Sequence, residues 1–139
     1  MSVKSFGKVL SANDTGATGG HQAGILVPKG QVELVESLPY LDPRIKNPDH
    51  WIHCVDERQE EWKFRYVYYN NKLHDEKGTR NEYRLTHMTK YFRSVAAKAG
   101  DIFIISFDEH ESVYRIRLQD QVVEKTRKPI RLKGWARIH

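Results

Sequence analysis

The stretch Trp62-Lys63-Phe64-Arg65-Tyr66-Val67-Tyr68-Tyr69, WKFRYVYY, decides the fold class of this chain. Trp62, Phe64, Tyr66 and Tyr68 alternate with Lys63, Arg65 and Val67, the period-two pattern of a strand with one buried face and one solvated face. After Tyr69 the pattern gives way to a polar tip, Asn70 to Gly78, and resumes with Tyr83 and Leu85 at alternate sites in Thr79 to Thr86. The unit predicts a long hairpin with a charged, glycine-bearing end.

On the N-terminal side, Val3 to Leu10 and Ala23 to Val27 read as strands, the second stopped by the turn signal Pro28-Lys29-Gly30. Gln31 to Leu38 places Val32, Leu34, Val35 and Leu38 at helical spacing before Pro39, which predicts a short helix. Pro39, Pro43 and Pro48 then mark Tyr40 to Asp49 as a loop, and Trp51 to Val55 alternates loosely as a strand. On the C-terminal side, Tyr91, Phe92, Val95, Ala96 and Ala99 predict a helix over Thr89 to Ala99, with Gly100 as its stop. Ile102 to Phe107, Val113 to Leu118, Gln121 to Lys125 and Ile130 to Trp135 read as further short strands. About seven or eight strands and two short helices predict a mainly-β barrel or sandwich with helices at its ends. There is no internal repeat, low-complexity segment or linker, so residues 1–139 form a single domain.

With 39% hydrophobic residues, a chain of 139 is long enough to bury about two-thirds of the surface its unfolded form exposes. Cys54 is the only cysteine, so no internal disulfide is available, and the start MSVKSFGK lacks the apolar core of a secretion signal. No apolar run approaches the roughly 18 residues that span a bilayer. These features lead to the expectation of a cytoplasmic protein without a membrane partner. Twenty-three Lys and Arg against 18 Asp and Glu give a net charge of +5 and favour polyanionic partners. Lys125, Arg127, Lys128, Arg131, Lys133 and Arg137 follow the last acid, Glu124.

Four arrangements resemble sites of chemistry. Asp49 with Glu61 and Lys63 matches the acid, acid-x-lysine spelling of magnesium-dependent nucleases, which requires both carboxylates at one ion. A self-contained nuclease using these three residues is therefore the enzymatic alternative. His50, His53 and Cys54 carry zinc-ligand chemistry, but successive strand positions point to opposite faces and no second ligand pair follows. Cys54 lacks the surroundings of a nucleophile, and the glycines of GATGG lack the lysine and following helix of a nucleotide loop. No cofactor and no metal are expected. An aromatic strand, Trp62 to Tyr69, leaves single-stranded nucleic acid as a third possibility.

Between the first two strands lies Ser11 to Gln22, SANDTGATGGHQ, with three glycines and a set of short donors and acceptors. It reads either as a flexible surface loop or as a recognition loop, whose glycines let a backbone approach a ligand closely. The hairpin end carries a complementary kit: Lys72, Lys77, Arg80, Asn81, Glu82 and Arg84. Arginine reads guanine, asparagine reads adenine, and glutamate accepts from the cytosine amino group. Two polar arms on a basic barrel fit the major groove of double-stranded DNA.

Lys8-Val9-Leu10 leading into SANDTGATGGHQAGILVP, and Tyr68 to Asn71 leading through Lys77-Gly78-Thr79-Arg80-Asn81-Glu82 to Arg84-Leu85-Thr86, resemble the N-terminal DNA-binding domain of the EcoRII family of restriction endonucleases. The similarity is plain over about Lys8 to Gly30 and Tyr68 to Thr86. It implies a B3-like DNA-binding pseudobarrel in which an N-arm and a C-arm grip the major groove at a short site of the CCWGG type. It also implies that a separate catalytic nuclease domain of a bacterial or archaeal parent protein does the cutting. By position, Lys8, Asn13, Asp14 and His21 belong to the N-arm side, and Lys77, Arg80, Asn81, Glu82 and Arg84 to the C-arm. Tyr83 and the tip Leu73-His74-Asp75-Glu76 depart from the family pattern.

Overall fold

The computed structural model describes residues 3–16, 23–120 and 134–138. Its strands are β1 (Val3–Val9), β2 (Ile25–Val27), β3 (Asp49–Val55), β4 (Glu61–Tyr69), β5 (Glu82–Thr86), β6 (Ile102–Asp108), β7 (Tyr114–Gln119) and β8 (Trp135–Ile138), and its helices α1 (Val32–Ser37), α2 (Asn71–His74) and α3 (Thr89–Ser94). The eight described strands form one sheet in the order β2-β5-β4-β3-β7-β6-β1-β8. Every pairing is antiparallel except β3 with β7.

The sheet curls until its two edges approach. The Trp135 indole on β8 donates to the Leu26 carbonyl on β2 at 2.8 Å, and the Gln31 amide donates to the Trp135 carbonyl at 3.2 Å. Among the described residues, these contacts rather than a continuous ladder bridge the two edges of a nearly closed barrel. Arg137 adds an ion pair to Glu33 of α1 at 2.6 Å.

The alternation in β4 sets the core. Phe64, Tyr66 and Tyr68 are buried and pack with Ile52, Leu85, Tyr91 and Phe103, while the partly buried Trp62 packs against them. Tyr91 and Phe92 of α3 stop one barrel end with edge-on contacts to Phe103 at 6.0 and 6.1 Å. Because β5 pairs with β4, Tyr83 and Leu85 face this core and Glu82, Arg84 and Thr86 face outward. Tyr83, a departure from the family pattern, stacks on Tyr68 at 4.3 Å and so belongs to the barrel wall.

Three expectations needed correction. The polar tip contains the one-turn helix α2, and β5 begins at Glu82, not Thr79. Helix α3 ends at Ser94 instead of reaching Ala99, because Ala96 takes the left-handed conformation (φ 52°). The N–H of Ala97 then bonds to the Phe92 carbonyl and that of Ala96 to the Arg93 carbonyl, a Schellman stop. The expected strand Gln121 to Lys125, and residues 130–133 of the expected last strand, lie outside the described residues; that last strand is observed from Trp135.

Candidate nucleic-acid interface

The base of the expected N-arm is built by Asp14. Its carboxylate accepts from Lys8 Nζ at 2.5 Å and from the Ser11 N–H at 2.9 Å, while its own N–H donates to Ser11 Oγ at 3.1 Å. The Asp14 carbonyl accepts from the Gly24 N–H at 3.1 Å, which fastens the two ends of the arm. Lys8 also donates to the Val9 carbonyl at 3.2 Å. An ammonium has three donors, so one remains for a ligand. Asn13 projects beside this base into a cleft, and His21 lies outside the described residues.

The expected C-arm is fixed by a fully buried asparagine, Asn70. Its side chain accepts from the Asn47 N–H at 2.7 Å and donates to the carbonyls of Ile45 (2.8 Å) and Pro43 (3.3 Å), tying the arm to the proline loop. Asn71 then receives the Arg80 N–H on its side-chain oxygen at 2.7 Å, and the Lys72 N–H donates to the Arg80 carbonyl at 3.0 Å. These bonds draw the tip into a narrow loop. Gly78 fits there because any Cβ would lie 2.1 Å from the Asn71 carbonyl oxygen. Lys77 is exposed near the end of the arm.

The outward side chains of β5 form a charged row. Glu82 pairs with Arg84 at 3.0 Å and with Arg80 at 3.4 Å, and the Arg80 guanidinium lies over the Tyr69 ring. Burial alone would raise the Glu82 carboxyl, yet the hydrogen bond from Arg84 and the charges of Arg80 and Arg84 hold it below the usual carboxylate range. Asn13, Gly24, Tyr69, Arg80, Arg84, Thr86 and His87 line one open cleft. The structure therefore brings Asn13, from the loop after β1, together with Arg80 and Arg84 of the β4–β5 hairpin.

Asn81 stands apart from that row. Its side-chain oxygen accepts from the Tyr68 hydroxyl at 2.5 Å and from Lys29 Nζ, on the side of the strand that carries Tyr83. Tyr69, Thr86, His87 and Asn70 were missed by the sequence reading. The first two carried a usable signal: Tyr69 pairs with Glu82, and Thr86 shares the parity of Glu82 and Arg84. The roles of His87 and Asn70 come from backbone conformation and from contacts across 23 to 27 residues, which leave no local pattern.

The alternative chemistry does not assemble. In the β3–β4 register Asp49 faces Val67 and Glu61 faces Val55. The two carboxylates therefore sit at opposite ends of the hairpin, roughly 20 Å apart, and Asp49 is paired with Arg65 at 2.6 Å. A magnesium site at Asp49, Glu61 and Lys63 is excluded by this geometry. His53 faces away from His50 and Cys54, and burial pushes the Cys54 thiol up to about 12. Phe64, Tyr66 and Tyr68 are inside the barrel, so β4 does not offer the row of exposed rings that unpaired bases would stack on.

Comparison with known proteins gives the same architecture. The chain is 39% identical over 105 residues to the type II restriction enzyme EcoRII of Escherichia coli, a match covering 72% of this chain and 25% of that enzyme. It thus spans about a quarter of that relative. The UbaLAI restriction endonuclease B3 domain, solved with cognate DNA, superposes with a TM-score of 0.62 at 18% identity, covering 97% of this chain and 86% of that one. The Arabidopsis FUS3–DNA complex superposes with a TM-score of 0.61 at 20% identity, covering 82% and 94%. At such identities the likeness concerns the fold, a B3-like pseudobarrel. Residues 1–135 match the family described as restriction endonuclease EcoRII, N-terminal, and the chain belongs to that family.

Proposed function

We propose that this chain is a sequence-specific reader of double-stranded DNA, the targeting domain of a type II restriction endonuclease, acting in the cytoplasm of a bacterium or archaeon. The N-arm and C-arm enter the major groove together at a site of the CCWGG type, and a separate nuclease domain of the parent protein cuts. The reading rests on one observation above all: Asn13, Arg80 and Arg84, from the two arms, line one cleft on the outside of a nearly closed barrel.

Within it the roles divide by geometry. Arg80, Glu82 and Arg84 are the base-reading row, with both guanidiniums held in place by the carboxylate between them. Asn13 and His21 contact bases or position the N-arm, for which Asp14 and Lys8 form the anchor, and the remaining donor of Lys8 reaches a phosphate. Lys77 holds a phosphate from the exposed arm end. Asn81 stands off that row with its oxygen held by Tyr68 and Lys29, and its amide hydrogens are what it offers to DNA. The solved DNA complexes of the UbaLAI B3 domain and FUS3 and the outward charged row both support this reading.

The test is selection of bound duplexes from a random library, followed by titration of the selected site against a scrambled one and against single strands. Enrichment of one short pseudo-palindromic sequence is the expected result. Equal binding of all duplexes, or a preference for single strands, overturns the reading. Magnesium added to the pure protein with plasmid should give no cleavage.

A further inference from the structure

His87 lines the cleft that holds Arg80 and Arg84. It has an exposed side chain and a left-handed backbone, φ 64°, a conformation costly for any residue with a Cβ. Two contacts set its ring. The ring meets Trp51 edge-on at 4.9 Å, and Nδ1 lies 3.0 Å from Thr86 Oγ1.

The Thr86 hydroxyl has one proton, which it gives to the Arg65 carbonyl at 3.3 Å. With that proton given to Arg65, the oxygen accepts from the imidazole, the tautomer that puts the ring proton on Nδ1 and leaves the lone pair on Nε2. Among the described residues no hydrogen bond engages that nitrogen. The neighbouring charged groups are of the opposite kind: Arg80 and Arg84 can only donate, and the acceptor between them, Glu82, is held by both. A cleft furnished this way reads guanine well, and a further acceptor lets it recognise a base by its amino group.

We propose that His87 is a further specificity-determining residue, whose Nε2 accepts a hydrogen bond from the exocyclic amino group of a cytosine or adenine in the major groove of the bound duplex. The proposal rests on the DNA-reading function above. It differs from a structural role in one respect: His87 carries backbone strain that glycine removes, so stability and recognition should move in opposite directions.

The experiment compares wild type, His87→Gly and His87→Gln on the selected duplex and on its single base-pair variants, with thermal melting alongside. His87→Gly should melt at or above the wild-type temperature and keep its binding to unselected DNA. It should lose about tenfold discrimination at one base pair that carries the amino group. His87→Gln, whose carbonyl can stand in for Nε2, should restore part of it and serves as the second variant if glycine disturbs the fold. Unchanged discrimination in His87→Gly overturns the proposal, as does an equal loss on all duplexes with a shallower salt dependence, the mark of a phosphate contact. If wild type itself prefers no duplex, the parent reading fails and this one with it.

Discussion

The Arg80 guanidinium sits 3.8 Å from the centroid of the Tyr69 ring, while its Nε lies 3.4 Å from the Glu82 carboxylate. Tyr69 is the last residue of β4, so Arg80 is anchored on the longest of the described strands. A stacked, ion-paired guanidinium is held in one orientation before any ligand arrives, which lowers the entropy lost on binding. Arg80→Ala should therefore cost about 1–3 kcal/mol in binding and blunt discrimination at one or two base pairs. Arg80→Lys should not rescue it, because an ammonium cannot form the planar fork. Gel-shift titration on matched and mismatched duplexes measures both; unchanged affinity and selectivity in Arg80→Ala would remove the C-arm from the interface.

Lys77 should behave differently. It is exposed near the arm's end, and a point charge on a phosphate carries no sequence information. Lys77→Ala should weaken matched and scrambled duplexes alike and lower the slope of log affinity against log salt by about one. A salt series on both duplexes decides, and a loss confined to one sequence would make Lys77 a base reader instead.

The shape of the C-arm tip depends on Gly78. A methyl group there meets backbone, with the Asn71 carbonyl oxygen at 2.1 Å and the Lys72 nitrogen at 2.8 Å, so the tip must open to admit it. The surrounding residues 72–77 are exposed and outside the core. Gly78→Ala should reduce affinity for the selected duplex by about 1–2 kcal/mol, roughly tenfold, while the melting temperature stays close to wild type. Equal affinity would show that the tip conformation is not used in binding.

The parts of this molecule that were legible in the sequence are those governed by strand periodicity. Phe64, Tyr66 and Tyr68 had to share a face, and from them the hairpin, the barrel and the outward position of Glu82 and Arg84 follow. Helix α2 was not legible, because one turn from Asn71 to His74 is too short to show a period and is held by contacts to the proline loop. The Lys8–Asp14 pair was half legible: both residues stood out as candidates, but only the fold brings them together across the arm base. Gly100 does have a left-handed backbone (φ 96°), as a helix stop would, yet the helix has already ended at Ser94, stopped by Ala96, which no propensity scale favours for that role.

Acid should reveal the β3–β4 turn. Asp56 is buried, which by itself raises its carboxyl, but hydrogen bonds from Trp62 Nε1, Arg58 and the N–H groups of Glu60 and Arg58 outweigh that and bring it to about 2. A carboxyl lowered in the folded state contributes stability that is full above its unfolded value, 3.8, and is lost as pH falls toward 2. The contribution amounts to up to about 2 kcal/mol. Asp56→Asn should be less stable at neutral pH and show a flatter dependence between about pH 4 and pH 2. Denaturant midpoints across that window test it, and parallel curves for variant and wild type would mean that Asp56 titrates alike in both states.

Ala96 offers the opposite case, a residue whose replacement should strengthen the fold without touching the interface. Its φ of 52° places a Cβ in the left-handed region, while the two hydrogen bonds that end α3, from Ala96 and Ala97 to the carbonyls of Arg93 and Phe92, use backbone alone. Glycine keeps both bonds and removes the steric cost, at the expense of a more mobile unfolded chain. The first effect outweighs the second at a helix stop, so Ala96→Gly should gain about 0.5–1 kcal/mol in urea unfolding. Affinity should not change, because Ala96 lines a different depression, with Glu57, Lys98 and Asp101, from the cleft of Arg80 and Arg84. A destabilised Ala96→Gly would show that the methyl group supports Val95 and Ala97 against the core more than its conformation strains the backbone.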